Sequence, residues 1–149
     1  RPQSTDHSPP TTVHRPPTTD HSPPNNHKKN KMIRTYRDLD VWKNAMNLAE
    51  NVYVVTKDFP LEERYGLTSQ IRRCAVSIPS NIAEGFMRKN TKEYVQFLHI
   101  ALGSLGELDT QVELSMRIGF IKEEKNLNEK ITRIRKQLYG LIKVLKEKR

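Results

Sequence analysis

A single cysteine, six glycines and the lack of any long apolar run set the first limits on this 149-residue chain. Cys74 stands alone, so an internal disulfide or a cysteine-rich zinc site cannot form. No stretch reaches the ~18 consecutive apolar residues of a membrane span, and the N-terminus lacks the apolar segment of a secretory signal. The chain is therefore expected to be soluble and cytoplasmic, without a membrane partner. Also absent are a Gly-rich phosphate loop, a nucleophile elbow and metal-ligand spacing. No Glu-x-x-His pair exists for a di-metal bundle site, and His99, the only histidine after His27, has Gln96 three residues before it. No enzyme activity, metal or cofactor is expected.

Proline is scarce over most of the chain and crowded at its start. Seven of nine prolines fall in the first 24 residues, and only Pro60 and Pro79 follow Met32. Residues 5–25 form three seven-residue units, TDHSPPT, TVHRPPT and TDHSPPN. Val13 is their only aliphatic residue, so little offsets the entropy of ordering them, and paired prolines favour extended polyproline II. The period carries no apolar pair of a coiled-coil heptad. Residues 1–31 are expected to be a disordered Pro-rich tail, or a linker with weak metal-binding histidines. A 21-base repeat is common outside genes, so Met32 is also a candidate natural start.

Residues 32–149 read as one domain of four helices. Of the net charge of +9, the tail's five basic and two acidic residues take +3, leaving +6 on the domain. A basic balance steers polyanions, nucleic acid first among them. The first helix is expected over about 39–57, capped by Asp38, with Val41, Ala45, Leu48, Val52 and Val55 at helical spacing. The second runs about 67–88 from a Thr68 cap, its stripe passing in phase through Ile71, Ala75, Ile78, Ile82 and Phe86. Pro79 interrupts it, as a kink within one helix or as a break near 77–80. The third opens at Asn90 with Glu93 three residues on, a capping-box-like start, and stops at Gly119. Its Gly103 and Gly106 permit close approach of a neighbouring helix. The fourth, about 123–147, carries Leu127, Ile131, Ile134, Leu138, Leu141 and Leu145 in steps of four and three, with Ile142 beside the seam. No stretch alternates as a strand does. The expected fold is all-α, an up-down-up-down four-helix bundle.

Three segments carry a specific likeness: YRDLDVWKNAMNLA at 36–49, RYGLTSQIRRCAVSIPSNIAEGF at 64–86 and NTKEYVQFLHIALGSLGELDTQVELSMRIG at 90–119. Together they resemble the four-helix-bundle proteins encoded in intervening sequences of bacterial 23S ribosomal RNA genes, also called S23 ribosomal proteins. More distantly, they are similar to the accessory variability determinant of diversity-generating retroelements. The resemblance implies a homopentameric ring with a basic surface and no enzymatic activity; in the retroelement branch it implies binding to RNA and to a reverse transcriptase. Cys74 stands where the family pattern has alanine, and Lys122 occupies the cap position of the fourth helix.

Two basic groups are candidates for nucleic-acid binding. Arg72 and Arg73 sit mid-helix, about 100° apart in direction, so one can grip phosphate or a neighbouring subunit while the other pairs inside the bundle with Glu84, Glu107 or Glu113. Arg88, Lys89 and Lys92 cluster at the turn between the second and third helices, where contact with RNA phosphates needs no base reading. The fourth-helix lysines are interrupted by glutamates and read as a solvated face. Ser77, Ser80 and Asn81 read as partners for backbone groups freed by Pro79, Cys74 as a small buried hydrophobe and His99 as a residue on the bundle's flank. Helical faces offer no aromatic platform for single-stranded bases, so sequence-specific reading is not expected. Tyr36, Trp42 and Phe86 exceed the needs of a thin core and leave apolar surface for neighbours. The expected function is binding of structured RNA by an oligomer; the alternative is a module that docks an acidic protein such as a reverse transcriptase. The repeat reading predicts that a chain starting at Met32 melts at the same temperature as the full chain. A drop of several degrees would show that the repeat packs on the domain.

Overall fold

The computed structural model describes residues 2–5, 7–10, 31–122 and 125–148, the last set without the side chain of Lys125. The chain divides into two units, Arg1–Lys31 and Met32–Arg149. In the first, residues 2–5 and 7–10 are exposed and have neither helix nor strand. The expectation for residues 11–30 lies outside the described residues.

The second unit is an all-α, up-down-up-down four-helix bundle: α1 Asp40–Thr56, α2 Leu67–Phe86, α3 Thr91–Arg117 and α4 Lys125–Glu147. Each helix packs on two neighbours, in the order α1–α2–α3–α4 and back to α1, and no diagonal pair meets among the described residues. Leu48, Ile78, Ile82, Leu98, Leu105, Leu108, Ile134 and Leu138 are fully buried along the axis. None of the helices is long and apolar enough to cross a membrane among the described residues.

Local chemistry explains the boundaries, and it departs from the sequence reading at several of them. Asp38 does not cap α1. It closes a capping box around the 3-10 turn Tyr36–Asp38, accepting from the Arg34 N–H at 2.9 Å and the Thr35 N–H at 3.0 Å. Thr68 does not cap α2 either: its side chain is buried, and the Glu63 carboxylate accepts from the Leu67 N–H at 3.0 Å instead. Helix α2 runs unbroken through Pro79, which is the kinked-helix alternative, and ends at Phe86. Asn90 caps α3 as expected, its Oδ1 accepting from the Glu93 N–H at 2.9 Å. Gly119 stops α3 in the left-handed region, φ 82°, where a Cβ would be strained. The chain then folds back, and the Phe120 N–H donates to the Ser115 carbonyl at 2.8 Å.

Two packing expectations change. In α4 the core position after Leu138 is Ile142, with Leu141 and Leu145 half-buried. A straight helix drifts ~20° per heptad against a four-three seam, so the last turns rotate Ile142 inward. Gly103 and Gly106 are exposed, and a Cβ on either would meet nothing within 4 Å. The glycine that permits close approach is Gly85, where a Cβ would lie 2.8 Å from the Phe97 Cβ and 3.0 Å from a Tyr94 ring carbon.

Leu138→Ala is expected to destabilise the bundle by ~2–5 kcal/mol in denaturant melts; a loss under about 0.5 kcal/mol would mean that α4 does not seal the core. The glycines should divide by sign. Gly103→Ala should stabilise by ~0.5–1 kcal/mol through helix propensity, whereas Gly85→Ala should cost ~1–3 kcal/mol of overpacking.

Candidate nucleic-acid interface

The path of the chain gathers the start of α1, the α2–α3 turn and the end of α4 at one end of the bundle. Asn44 Nδ2 donates to Gln137 Oε1 at 2.9 Å, so the residues after Gln137 run back toward the start of α1. An aromatic chain underlies this end: Tyr36 to Trp42 at 5.4 Å between centroids, Tyr36 to Phe86 at 6.4 Å and Phe86 to Tyr94 at 6.0 Å. Tyr36, Trp42 and Phe86 are therefore half-buried against the core and not wholly surplus to it. Burial pushes the Tyr94 phenol up to about 12.

The basic turn residues sit on this base, and they are not equivalent. Arg88 is committed: its guanidinium pairs with Glu84 at 2.8 Å and lies 4.7 Å from the Phe97 ring centroid. Lys89 and Lys92 are exposed and form no ion pair among the described residues. Arg37 lies over both Tyr36 and Trp42, at 5.4 and 5.6 Å.

Arg72 and Arg73 stand at the other end of α2, roughly 22 Å away at 1.5 Å rise per residue, so the five predicted residues form two clusters and not one site. The expected ion pair inside the bundle is not made. Glu84 is taken by Arg88, Glu113 pairs with Arg117 at 3.0 Å, and Glu107 faces Cys74. Arg72 is held by α1 instead: Nε donates to Thr56 Oγ1 at 2.8 Å, and the guanidinium lies 4.6 Å from the Tyr53 ring centroid. A half-buried arginine is thus satisfied by a hydroxyl and a ring face, neither of which a search for carboxylates finds. Despite pointing apart on the helix, both long side chains reach one cleft of about 390 Å³, with Tyr53, Arg64, Tyr65, Thr68 and Ser69. Tyr65 is 90% exposed and Tyr53 44%. Two tyrosine rings thus line the cleft. The cleft sits partly in the turn before α2, where helical periodicity gives no signal.

A family model described as 23S rRNA-intervening sequence protein matches residues 37–140. The chain belongs to this family. Among solved structures it is similar to a protein of unknown function from the S23 ribosomal protein family of Bacteroides thetaiotaomicron, with 27% identity and a TM-score of 0.64, over 69% of this chain and 95% of that one. No curated protein matches it.

In this 23S rRNA-intervening sequence protein, Cys74 is buried within the core as expected, and its thiol is also hydrogen-bonded. Its thiol donates to the Ser104 carbonyl at 2.9 Å and faces Glu107 Oε2 at 3.4 Å. Burial first, then the Glu107 carboxylate, pushes it up to about 12 from 9.0. A thiol so protonated is a poor nucleophile. Beside it Ser77 Oγ meets Ser104 Oγ at 2.7 Å, and Asn81 Nδ2 donates to the Ser77 carbonyl at 2.8 Å. Asn81 thus bonds the Ser77 carbonyl and not the Ala75 carbonyl that Pro79 leaves without its helical donor, Ser77 ties α2 to α3, and Ser80 is exposed. His99 lies exposed on the flank of α3. No group of three His, Cys, Asp or Glu side chains is placed to hold a metal among the described residues.

Iodoacetamide at pH 8 should leave Cys74 unmodified in the folded protein and modify it after denaturation. Because folding raises this pKa above the unfolded 9.0, the thiol's share of stability is intact below pH 9 and is lost as pH rises toward 12. Denaturant midpoints should fall over that window, and less so in Cys74→Ala; rapid native alkylation at pH 8 would contradict the buried, protonated thiol.

Proposed function

We propose that this protein is a non-catalytic, cytoplasmic RNA-binding bundle that assembles into a closed homopentameric ring and grips structured RNA through its basic surface. One observation carries the reading: the charge at the α2–α3 end. Residues 34–40, 84–93 and 143–148 hold eight basic and five acidic side chains, half of the domain's charge of +6. The lysines there, Lys89, Lys92, Lys143, Lys146 and Lys148, are all exposed. Repeated around a ring, such an end makes a strong field for a polyanion. Lysine ammonium groups act as point charges on phosphate without reading bases.

Self-assembly is supported by an outer groove between α1 and α2. Tyr36, Trp42, Met46, Val76, Pro79 and Ala83 line it, no charged residue does, and Met46 and Val76 stand exposed on its walls. A second copy of the chain is the occupant that a closed ring supplies to each such face.

The test is binding of a base-paired RNA hairpin as salt is varied, with light scattering on the same samples. Replacing Arg88, Lys89 and Lys92 with alanine should weaken binding and flatten the salt slope by about 0.7–0.9 per lost phosphate contact, with the oligomer intact. Most of the loss should already appear in the Lys89→Ala, Lys92→Ala pair, because Arg88 is held by Glu84. A monomer at micromolar concentration would sink the ring, and unchanged affinity would remove this turn from the site. Preference for an acidic protein over RNA in a competition pull-down would favour the docking-module alternative.

A further inference from the structure

We propose that the cleft at the α1–α2 end, between Tyr53, Arg64, Tyr65, Ser69, Arg72 and Arg73, binds an unpaired nucleotide of a single-stranded RNA segment, its base stacked on tyrosine and its phosphate held by arginine. This deepens the RNA-binding reading and rests on it. It assigns the cleft a different kind of RNA from the basic end.

The cleft combines the two surfaces that such a ligand needs. Each tyrosine already carries an arginine near its face: Arg64 lies 5.8 Å from the Tyr65 ring centroid and Arg72 lies 4.6 Å from that of Tyr53. Tyr65 leaves nine-tenths of its surface in solvent. A flat base gains by covering such a ring, and any base can do so because each has a π face.

The charged side chains that line the cleft are all arginines, and the nearby Glu63, which is outside the lining, turns Oε2 to the Leu67 N–H. Arg72 is fixed through Nε by Thr56 and reaches the Tyr53 carbonyl at 3.5 Å, so most of its five N–H donors remain for a phosphate. Arg73 is exposed and makes no hydrogen bond or ion pair among the described residues. The first turn of α2 lines the same cleft, adding the positive end of its helix dipole. An arginine fork matches phosphate oxygens two at a time, which a lysine does not.

A second feature points independently to a ligand. Thr68, in the lining, is 8% exposed, and its hydroxyl is buried with no hydrogen-bond partner among the described residues. Buried hydroxyls are rarely left so, because an unmade bond costs stability. The hydroxyl is closed to solvent as the cleft stands, so a phosphate or ribose oxygen becomes its partner only where the side chain turns toward the cleft. Duplex RNA does not suit the cleft, since base faces are hidden inside an A-form helix and only unpaired bases can be splayed onto a ring.

Fluorescence anisotropy with two labelled RNAs, a 12-nucleotide oligoadenylate and a blunt duplex of 12 base pairs, tests the assignment on the full chain. Tyr65→Ala should weaken the single strand about tenfold or more and leave the duplex within about twofold, while Tyr65→Phe keeps the ring and the affinity. Lys89→Ala with Lys92→Ala should weaken the duplex. Because Tyr65 is exposed, the variants should melt as the parent does. Adenosine 5′-monophosphate should shift the ring protons of Tyr53 and Tyr65 in NMR spectra. Single-strand affinity unchanged in Tyr65→Ala, or equal losses for both RNAs, overturns the cleft and leaves the basic end standing. Single-strand binding through the cleft without duplex binding supports the cleft and overturns the structured-RNA reading. If neither RNA binds, both are overturned.

Discussion

A methyl group on residue 85 would lie 2.8 Å from the Phe97 Cβ, closer than packed carbons allow, and the absence of that methyl lets α2 and α3 meet as they do. From this contact the α2–α3 seam follows in both directions. Toward the turn, it brings Tyr94 and Phe97 against the end of α2, where Phe86 completes an aromatic chain back to Tyr36 and Trp42. The Phe97 face then takes Arg88, which Glu84 holds from its own helix. With Arg88 pinned, the short turn projects Lys89 and Lys92 outward. The basic end is thus a consequence of tight packing one turn earlier.

In the other direction the seam meets polar chemistry. Ser104 receives the Cys74 thiol on its carbonyl, and its hydroxyl meets that of Ser77. Each of the other seams also carries a polar link: Arg72 to Thr56 between α2 and α1, Arg135 to Asp109 between α4 and α3, Asn44 to Gln137 between α1 and α4. An apolar stripe of alternating fours and threes tolerates a helix sliding by a turn. A hydrogen bond at one place on each seam does not, because a slipped register leaves partly buried donors unpaired. The Asp109–Arg135 pair is close to half exposed on each side and adds little energy. Its contribution is to register.

What the residues reveal before folding follows from the same physics. The four helices and the Asn90 cap are local or periodic features, so they are legible, whereas Pro79 leaves a kink and a break both open until the helix is seen to continue. Asp38 and Thr68 fail as caps because one is drawn into a preceding 3-10 turn and the other into the interior, and both outcomes depend on neighbours outside the pattern. Gly85 falls on the α2 stripe three residues after Ile82, while Gly103 lies off the α3 stripe; that α3 comes close enough to need the missing side chain is decided by the partner helix. Arg72 and Arg73 stand out as charges on an apolar stripe. Their companions Tyr53, Arg64 and Tyr65 come from the outer face of α1 and from a turn, elements that no single period links. The chemistry of a site that spans two elements becomes visible only when the connection between them is folded.

Helix α2 therefore separates two basic surfaces of unlike physics. At its C-terminal end the exposed Lys89 and Lys92, compact and strongly hydrated, stand near Arg37 over Tyr36 and Trp42, and a lysine's hold on phosphate is mostly counterion release that weakens steeply with salt. At its N-terminal end the cations are arginines laid over tyrosine rings. Stacking between planar groups is a contact of dispersion and quadrupole, which mobile ions screen far less than exposed charge. Because α2 is one continuous helix, the roughly 20 Å from Arg73 to its last residue Phe86 is fixed by backbone hydrogen bonds and not by a hinge. On the proposed RNA-binding reading, a folded RNA with a paired stem and an unpaired flank at that spacing would engage both ends of one rigid element. The second contact then forms at the effective concentration set by the first. A simple duplex gains no such advantage, since it offers α2's N-terminal rings nothing to stack on.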